Sequence, residues 1–141
     1  MKKQIYPCLW FDGQAKEAAQ FYCELFENAR ITDDNPIVCR WELNGITFMG
    51  LNGGPKFKFT EAVSFVVECE DQAEINKYWN ALISDGGEES YCGWCKDKYG
   101  LSWQIVPAIL AELMGNPDKR EAVTNAFLKM KKFDIQNLLN C

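Results

Sequence analysis

Two cysteines, Cys92 and Cys95, lie three residues apart in the stretch CGWC. This spacing is typical of a thiol–disulfide redox pair and of half a zinc site. A redox pair places its first cysteine at the N-terminus of a helix, whereas this stretch is predicted to be a strand that runs into a turn. Residues three apart in a strand point to opposite faces, and a zinc site would need two more donors nearby. The pattern therefore favours structural cysteines over a redox or metal site.

A glutamine, Gln104, interrupts the apolar last strand LSWQIVP (101–107). Strand alternation places its side chain on one face together with Ser102, while the opposite, apolar face is expected to pack beneath helices. A buried amide needs hydrogen-bond partners. A concave site with a few polar groups on a largely apolar wall is typical of small-molecule binding, so we expect this face to contribute to such a site.

The strand AVSFVVECE (62–70) adds to the same expected site, because Ser64 and Glu68 share one of its faces. Trp94 precedes a charged turn and is the tryptophan best placed to reach the mouth of the site. The first strand is expected to contribute Pro7, Leu9 and Phe11. The alternative is that Ser64 and Gln104 only bond each other, or water, across a filled interior.

The chain contains no histidine. This absence removes the commonest general base and the commonest transition-metal ligand. It excludes Ser-His-Asp and Cys-His catalysis. Carboxylates remain as acid–base candidates, and Glu68 and Asp97 are the two that fall near the expected site.

The composition is that of an ordinary globular domain, with 141 residues, 48% of them hydrophobic and 25% charged. The net charge of −5 argues against a nucleic-acid partner, which needs a basic face. No apolar run approaches the ~20 residues of a membrane span. Seven scattered cysteines are an odd number and do not form a disulfide framework. We therefore expect a cytoplasmic protein with reduced thiols.

The first half of the chain predicts one strand, one helix and a further run of strands. The elements are a strand (5–11), a helix (13–29), a strand between residues 30 and 36, and a hairpin (36–45 and 46–52). Asp12 is placed to cap the helix. The hairpin turns at Asn44-Gly45, a strong two-residue turn signal. The loop NGGPKFKF (52–59) is interpreted as either a lid or an ordinary surface loop.

The second half repeats this order at an offset of 57 residues. Its elements are a strand (62–70), a helix (71–84), a turn and strand (86–95), a turn (96–100) and the last strand (101–107). The tail, 108–141, is predicted to be helical, with a helix starting at Asn116-Pro117. Its predicted buried stripe is Ala122, Val123, Ala126, Phe127 and Met130. The fold class is therefore α+β, with two βαβββ modules at about 1–57 and 58–107 and a helical extension of the same domain.

Several stretches together resemble the PhnB-like branch of the vicinal oxygen chelate superfamily, which includes glyoxalases and bleomycin-resistance proteins. They are PCLWFDGQAKEAAQFY (7–22), LNGITFMGLNGGPKFKF (43–59), AVSFVVECEDQ (62–72), CGWCKDKYGLSWQIVP (92–107) and KMKKFDIQNL (129–138). The resemblance implies that the modules form a half-barrel cup and that the protein is a homodimer. It also implies four inward-facing metal positions, which fall on Pro7, on Met49 or Gly50, on Ser64 and on Gln104.

These four positions are poor in metal donors. Proline and glycine offer no ligand side chain, and methionine suits soft metals only. One hydroxyl and one amide cannot make a zinc, nickel or iron site. We therefore expect neither a metal nor a cofactor.

Proteins of this branch are often labelled 3-demethylubiquinone-9 3-methyltransferase. A nucleotide-type methyl donor needs a glycine-rich turn between a strand and a helix. The cluster Asn52-Gly53-Gly54-Pro55 follows a predicted strand but opens no helix. The label is therefore not supported by the residues.

Three functions remain open from the sequence. The first is a metal-independent protein that binds a small molecule through Ser64, Glu68, Trp94, Ser102 and Gln104. The second is an enzyme of unknown reaction that uses Glu68 or Asp97 as an acid or base. The third is a dimeric scaffold whose cup is filled by side chains.

Overall fold

The computed structural model describes residues 3–141 and divides into two compact units, with the boundary along the chain between Phe59 and Thr60. The first unit contains β1 (Cys8–Phe11), α1 (Ala15–Leu25), β2 (Ala29–Asp34), β3 (Val38–Leu43) and β4 (Ile46–Asn52). The second contains β5 (Ser64–Cys69), α2 (Gln72–Ile83), β6 (Glu88–Glu89), β7 (Trp94–Lys96), β8 (Ser102–Pro107), α3 (Leu110–Met114), α4 (Arg120–Phe127) and α5 (Ile135–Leu139). The two predicted βαβββ modules and the α+β class are confirmed.

The first unit is built on a four-stranded sheet in the order β1-β4-β3-β2, with β1 parallel to β4 and the other pairs antiparallel. The predicted hairpin is present between β3 and β4. Its turn residues Asn44 and Gly45 both have positive φ, 49° and 84°. Two left-handed central residues match the right-handed twist of the flanking strands, which explains the Asn-Gly sequence.

The start of α1 differs from the expectation that Asp12 caps it. The helix begins at Ala15, and the preceding Gln14 makes no side-chain capping bond. The backbone N–H of Ala15 donates instead to Oδ1 of Asn52, the last residue of β4, at 2.9 Å. One of the free N–H groups at the start of the helix is thus satisfied by a residue of the sheet. The spacing of residues in the sequence does not predict this contact.

The side chains of β1 also point to the opposite face from the one that the sequence predicted. Leu9 and Phe11, expected on the ligand-facing side, are buried. Their parallel partners are Gly50 and Asn52, and a Cβ on Gly50 would lie 2.9 Å from that of Ala15 in α1. Leu9 and Phe11 therefore face the helix.

The cause of this shift is the length of the connection between strand and helix. Three residues (12–14) separate β1 from α1, whereas two (70–71) separate β5 from α2. The helices of the two units keep the offset of 57 residues, but the strands before them do not. Because strand side chains alternate, a shift of one residue turns every side chain of β1 to the opposite face.

The loop 52–59 is tied to β1 by its own contacts. Gly53 N–H donates to the Phe11 carbonyl at 2.9 Å, and Trp10 Nε1 donates to the Gly54 carbonyl at 2.8 Å. The ring of Phe57 packs edge-on against Trp10, with centroids 4.8 Å apart. These contacts favour the surface-loop interpretation over the lid.

The second unit has the sheet order β5-β8-β7-β6, with β5 parallel to β8. The helix α2 buries Ile75, Tyr78, Trp79 and Leu82. Its N-cap is Asp71, whose carboxylate accepts from Glu74 N–H at 2.9 Å. The Glu74 carboxylate in turn accepts from Glu70 N–H at 2.8 Å. These two bonds fix the start of α2 without help from the sheet.

The C-terminal tail belongs to the second unit and is held by the turn that precedes β7. Cys92 and Gly93 both have positive φ, 58° and 80°, and their N–H groups donate to the carbonyls of Met130 and Lys131. Cys92 therefore lies in a turn and not in a strand as predicted. The amide of Gln72 holds the tail from the other side, donating to the Phe133 carbonyl and accepting from Ile135 N–H, each at 2.9 Å.

Two expectations for the tail are wrong. The helix α4 begins at Arg120, three residues beyond the predicted start at Pro117; Asn116 instead opens a turn and accepts from Asp118 N–H at 3.0 Å. In the predicted buried stripe, Val123 is fully buried but Ala122 is exposed. Short helices joined by turns bury single residues and not a continuous stripe.

Within residues 3–141, no helix combines the length and the apolar character that a membrane crossing requires.

We expect Gly93→Ala to destabilise the second unit more than Gly100→Ala does. Both glycines have positive φ, 80° and 88°, so each substitution places alanine in the left-handed region at about 1–2 kcal/mol. Only at Gly93 would the new Cβ also meet other atoms, 2.5 Å from the Phe133 ring and 2.7 Å from the Ile105 carbonyl. That clash should add about 1–3 kcal/mol to the loss in unfolding free energy, measured by urea denaturation. Equal losses would mean that the tail does not dock on Gly93.

The buried thiols predict a dependence of stability on alkaline pH. Burial raises the pKa of Cys95 to about 12, and the Asp97 carboxylate adds to this shift. In the unfolded chain the thiol ionises near 9.0. The unfolded state is therefore stabilised as the pH rises from about 9 towards 12, and the native state loses up to roughly 1.4 kcal/mol per pH unit.

Urea denaturation between about pH 8 and pH 11 checks this expectation. Cys95→Ala should unfold with a shallower pH dependence than the unmodified chain, whereas Cys141→Ala, which removes an exposed thiol, should not change the slope. Parallel curves for all three proteins would contradict the burial of the Cys95 thiol.

Candidate functional site

One face of the second sheet is left open by α2, and strand pairing decides which residues share it. Ser102 on β8 is flanked by Ser64 on β5 and by Lys96 on β7. Two pairs further along, Trp94 on β7 lies beside Gln104 on β8. Directly paired residues point to the same side of a sheet. The five side chains therefore form one continuous surface, opposite the face that buries Cys95 and Trp103.

Gln104 and Ser64, which the sequence places on this face, bond each other. The Gln104 Nε2 donates to Ser64 Oγ at 2.9 Å, and both residues are partly buried. This is the arrangement that the sequence left open as the alternative to ligand binding. One of the two Nε2 N–H groups of Gln104 is thus already bonded within the protein.

Ser102 on this face, like Trp41 in the first unit, carries a buried side-chain polar atom that the fold does not satisfy. It is fully buried, and within residues 3–141 its Oγ has no hydrogen-bond partner. Leaving a buried hydroxyl unpaired costs about 1–3 kcal/mol, so such groups are uncommon. A cavity of about 190 Å³ opens beside this hydroxyl. It is lined by Glu61, Glu88, Glu89, Ser90, Trp94, Cys95, Lys96 and Ser102.

An ion pair lies at the rim of this cavity. Lys96 Nζ contacts the carboxylate of Glu61, which comes from the segment before β5. The hydrogen bond that Lys96 donates to Glu61 raises the Lys96 pKa, and the charge of Glu88 adds a smaller effect. The same bond lowers the Glu61 pKa. Both side chains are substantially exposed, so the pair orients Lys96 more than it stabilises the fold.

Of the five predicted site residues, Trp94 and Ser102 line the cavity, and Ser64 and Gln104 adjoin it through Ser102. Glu68 lies apart: it is exposed and pairs with Val106, four residues along β5 from Ser64, about 13 Å.

Asp97, the other acid–base candidate, is buried in the turn before β8 and accepts from three donors. These are Tyr99 N–H at 2.9 Å, Leu101 N–H at 3.1 Å and Trp103 Nε1 at 2.9 Å. A carboxylate that orders a turn in this way is held as a structural acceptor.

Five polar or charged residues of the cavity lining were not predicted from the sequence: Lys96, Glu61, Glu88, Glu89 and Ser90. Lys96 could have been found, because it lies two residues after Trp94 and alternation gives it the same face once β7 is extended to residue 96. The charged run KDK instead indicated a turn. No sequence pattern predicts that Glu61 lines the cavity, because its position depends on how residues 60–63 approach the sheet.

The four positions at which the family resemblance implies a metal do not fit one here. In the first unit, Gly50 faces α1, so the open face carries Met49. In the second unit, Ser64 and Gln104 are neutral and bond each other. Within the described chain, no three Cys, Asp or Glu side chains come together as a metal site. No chemical step through a metal is derived from this donor set.

Known proteins similar to this chain share its first three quarters. Residues 3–106 match the family described as 3-demethylubiquinone-9 3-methyltransferase. The structure of a PhnB protein from Bacillus cereus, described in the same words, is 31% identical over 75% of this chain and 100% of its own, with a TM-score of 0.68. The chain matches no protein of curated function.

More distant structures share the fold alone. Protein PA1353 from Pseudomonas aeruginosa is 20% identical, over 75% of this chain and 98% of its own, with a TM-score of 0.63. The fosfomycin resistance protein FosX from Listeria monocytogenes, solved with Mn(II) and sulfate, is 12% identical, over 82% of this chain and 97% of its own, with a TM-score of 0.61. With the paired βαβββ units and the matched residues 3–106, these relatives identify the chain as a member of the 3-demethylubiquinone-9 3-methyltransferase (PhnB-like) family, with the glyoxalase/bleomycin-resistance fold.

Proposed function

We propose that the protein binds a small molecule without a metal, in the cavity on the open face of the second sheet. The observation that carries this proposal is the buried Ser102 hydroxyl, which has no partner in the described chain and borders the cavity. A ligand that hydrogen-bonds to this hydroxyl would recover the free energy that the unpaired group costs.

The residues around Ser102 suit a compact ligand. At about 190 Å³ the cavity is smaller than the ~300–1,000 Å³ of drug-sized sites, so it would enclose one ring or a short chain. Trp94 supplies an aromatic wall. The Oε1 atom of Gln104 is an acceptor that its bond to Ser64 leaves unused. Glu68 would contact only a ligand that extends along β5.

Two observations weigh against an enzyme that uses the predicted acid–base residues. The Asp97 carboxylate is engaged by three donors, and Glu68 lies outside the cavity. For a methyltransferase, the glycines that follow β4 would have to open a helix, but the next element is the strand β5. Binding is therefore the function that these residues support best.

We also propose a cytoplasmic homodimer. The open face of the second sheet carries Val66, which is 56% exposed, and Val63 nearby is 60% exposed. Apolar side chains in this position would be covered by a second copy of the chain. Reduced thiols suit the cytoplasm, and all seven cysteines are free. Light scattering on the eluting protein should give twice the chain mass of 16.2 kDa.

Two serine substitutions separate a binding role from a structural role. Ser102→Ala should leave the melting temperature unchanged or raise it, because it removes an unpaired buried hydroxyl. The same substitution should weaken the binding of one-ring fragments that shift the amide NMR signals of β7 and β8, by about 1–3 kcal/mol. The matched control, Ser64→Ala, should lower stability by about 1 kcal/mol, because the Gln104 amide then lacks its partner.

A loss of stability in Ser102→Ala, with fragment binding unchanged, would contradict the proposed site. Native mass spectrometry of the protein purified from its own cells would search for the natural compound. A co-purifying molecule should be lost from Ser102→Ala and retained by Ser64→Ala.

Metal independence has its own test. Elemental analysis should find no stoichiometric divalent metal, and a chelator should not change the melting temperature. Gln104→Glu places a carboxylate at one of the four metal positions of related folds but adds no second charged donor. It should still bind no Zn²⁺ above background. About one metal ion per native chain would show that other residues supply ligands.

A further inference from the structure

The charged residues that line the cavity are unevenly balanced. Glu61, Glu88 and Glu89 supply three carboxylates, whereas Lys96 supplies one ammonium group. Within the cavity the residues therefore carry a net charge of −2 when all four are ionised. A wall with this charge attracts a cation and repels a carboxylate or phosphate.

Two of the three carboxylates are already engaged. Glu61 is paired with Lys96. Glu89 accepts from Trp79 Nε1 at 3.2 Å and lies 3.8 Å from Lys131 Nζ. For Glu88, no hydrogen bond or ion pair is found within the described chain, although its charge acts on Lys96. Glu88 is thus the carboxylate left to neutralise a positive group on a ligand.

Strand pairing sets the distance between Glu88 and the unpaired hydroxyl. Glu88 pairs with Lys96, and Lys96 pairs with Ser102, so the three lie in a row across β6, β7 and β8. Neighbouring strands are about 4.8 Å apart, which separates the backbones of Glu88 and Ser102 by about 10 Å. Lys96, between them, is drawn towards Glu61. Trp94 is the aromatic residue of the lining, and an indole ring also attracts cations.

We infer that the ligand of this cavity is a compact organic amine, whose ammonium group is neutralised by Glu88 while its remaining part reaches the Ser102 hydroxyl. This inference rests on the proposed binding site and adds the chemical class of its ligand. The inference rests on two observations, the acidic lining of the cavity and the fully buried Ser102 hydroxyl, which has no partner in the described chain. The acidic lining alone would not support an amine ligand.

Three probes with the same ring and different charge test the inference: benzylamine, benzyl alcohol and benzoate. A cavity of ~150 Å³ is known to admit a benzene ring, so the ring fits a space of this size. Binding to the full chain would be measured from shifts of the amide signals of residues 94–96 and 102–104. Benzylamine should bind several-fold more tightly than benzyl alcohol, and benzoate should bind most weakly. The preference should shrink as salt is added.

Glu88→Gln removes the charge and keeps the shape of the side chain, and no hydrogen bond within the described chain depends on it. It should weaken benzylamine binding about 5-fold, the effect of one charge pair near 4 Å in a largely aqueous setting, and leave benzyl alcohol unchanged. The matched control is Glu112→Gln, which removes the charge of an exposed glutamate on α3 outside the cavity. It should change neither probe.

The outcomes separate this inference from the proposed function. If the three probes bind beside Ser102 with equal affinity, or benzoate binds best, the cavity is a binding site but its ligand is not an amine. If Glu88→Gln and Glu112→Gln weaken benzylamine equally, the preference comes from the overall charge of the protein and Glu88 has no specific role. If no probe shifts residues 94–96 or 102–104, both the amine inference and the proposed site are wrong.

Discussion

The packing of one helix against one face of each four-stranded sheet is the constraint on which the rest of the structure depends. A sheet with a single covering helix has one buried face and one open face, and strand alternation then assigns every side chain to one or the other. In the second unit, Trp79 and Leu82 of α2 meet a layer that includes Trp103 and Ile105. That apolar layer fixes Ser102 and Gln104 on the open face. The position of the candidate site therefore follows from the packing of the hydrophobic core.

The sequence was most informative where a local interaction decides the structure. The turn at Asn44-Gly45 follows from the left-handed conformation that these two residues adopt readily. The helix predicted over 71–84 is observed at Gln72–Ile83, and Asp71 and Glu74, three residues apart, each accept a backbone N–H bond at its start. In both cases the partners are close in sequence, so their spacing is enough to predict the contact.

The prediction failed where the partners are distant in sequence. The cap of α1 comes from Asn52, 37 residues away from Ala15. The face of β1 depends on a connection that is one residue longer than its counterpart in the second unit, and the internal repeat does not reveal this difference. The left-handed conformation of Cys92 depends on the tail, whose Met130 carbonyl accepts its N–H. For the site, alternation placed Ser102 on the ligand-facing side and the charged turn that follows Trp94 indicated that residue, but Glu61 reaches the cavity from a segment without regular structure.

Buried polar groups explain why the candidate site lies at Ser102 and not at the metal positions of related folds. In the second unit those positions hold Ser64 and Gln104, and each satisfies the other. The buried Asp97 is likewise satisfied, by two backbone N–H groups and the Trp103 indole. Ser102 is the direct strand neighbour of Ser64, yet its hydroxyl has no such partner. The side chain of Gln104, whose position in the sequence suggested a metal ligand, thus donates a hydrogen bond within the protein. The unsatisfied hydroxyl lies on the same strand as Gln104, two residues before it, where the cavity opens towards the acidic edge strand β6.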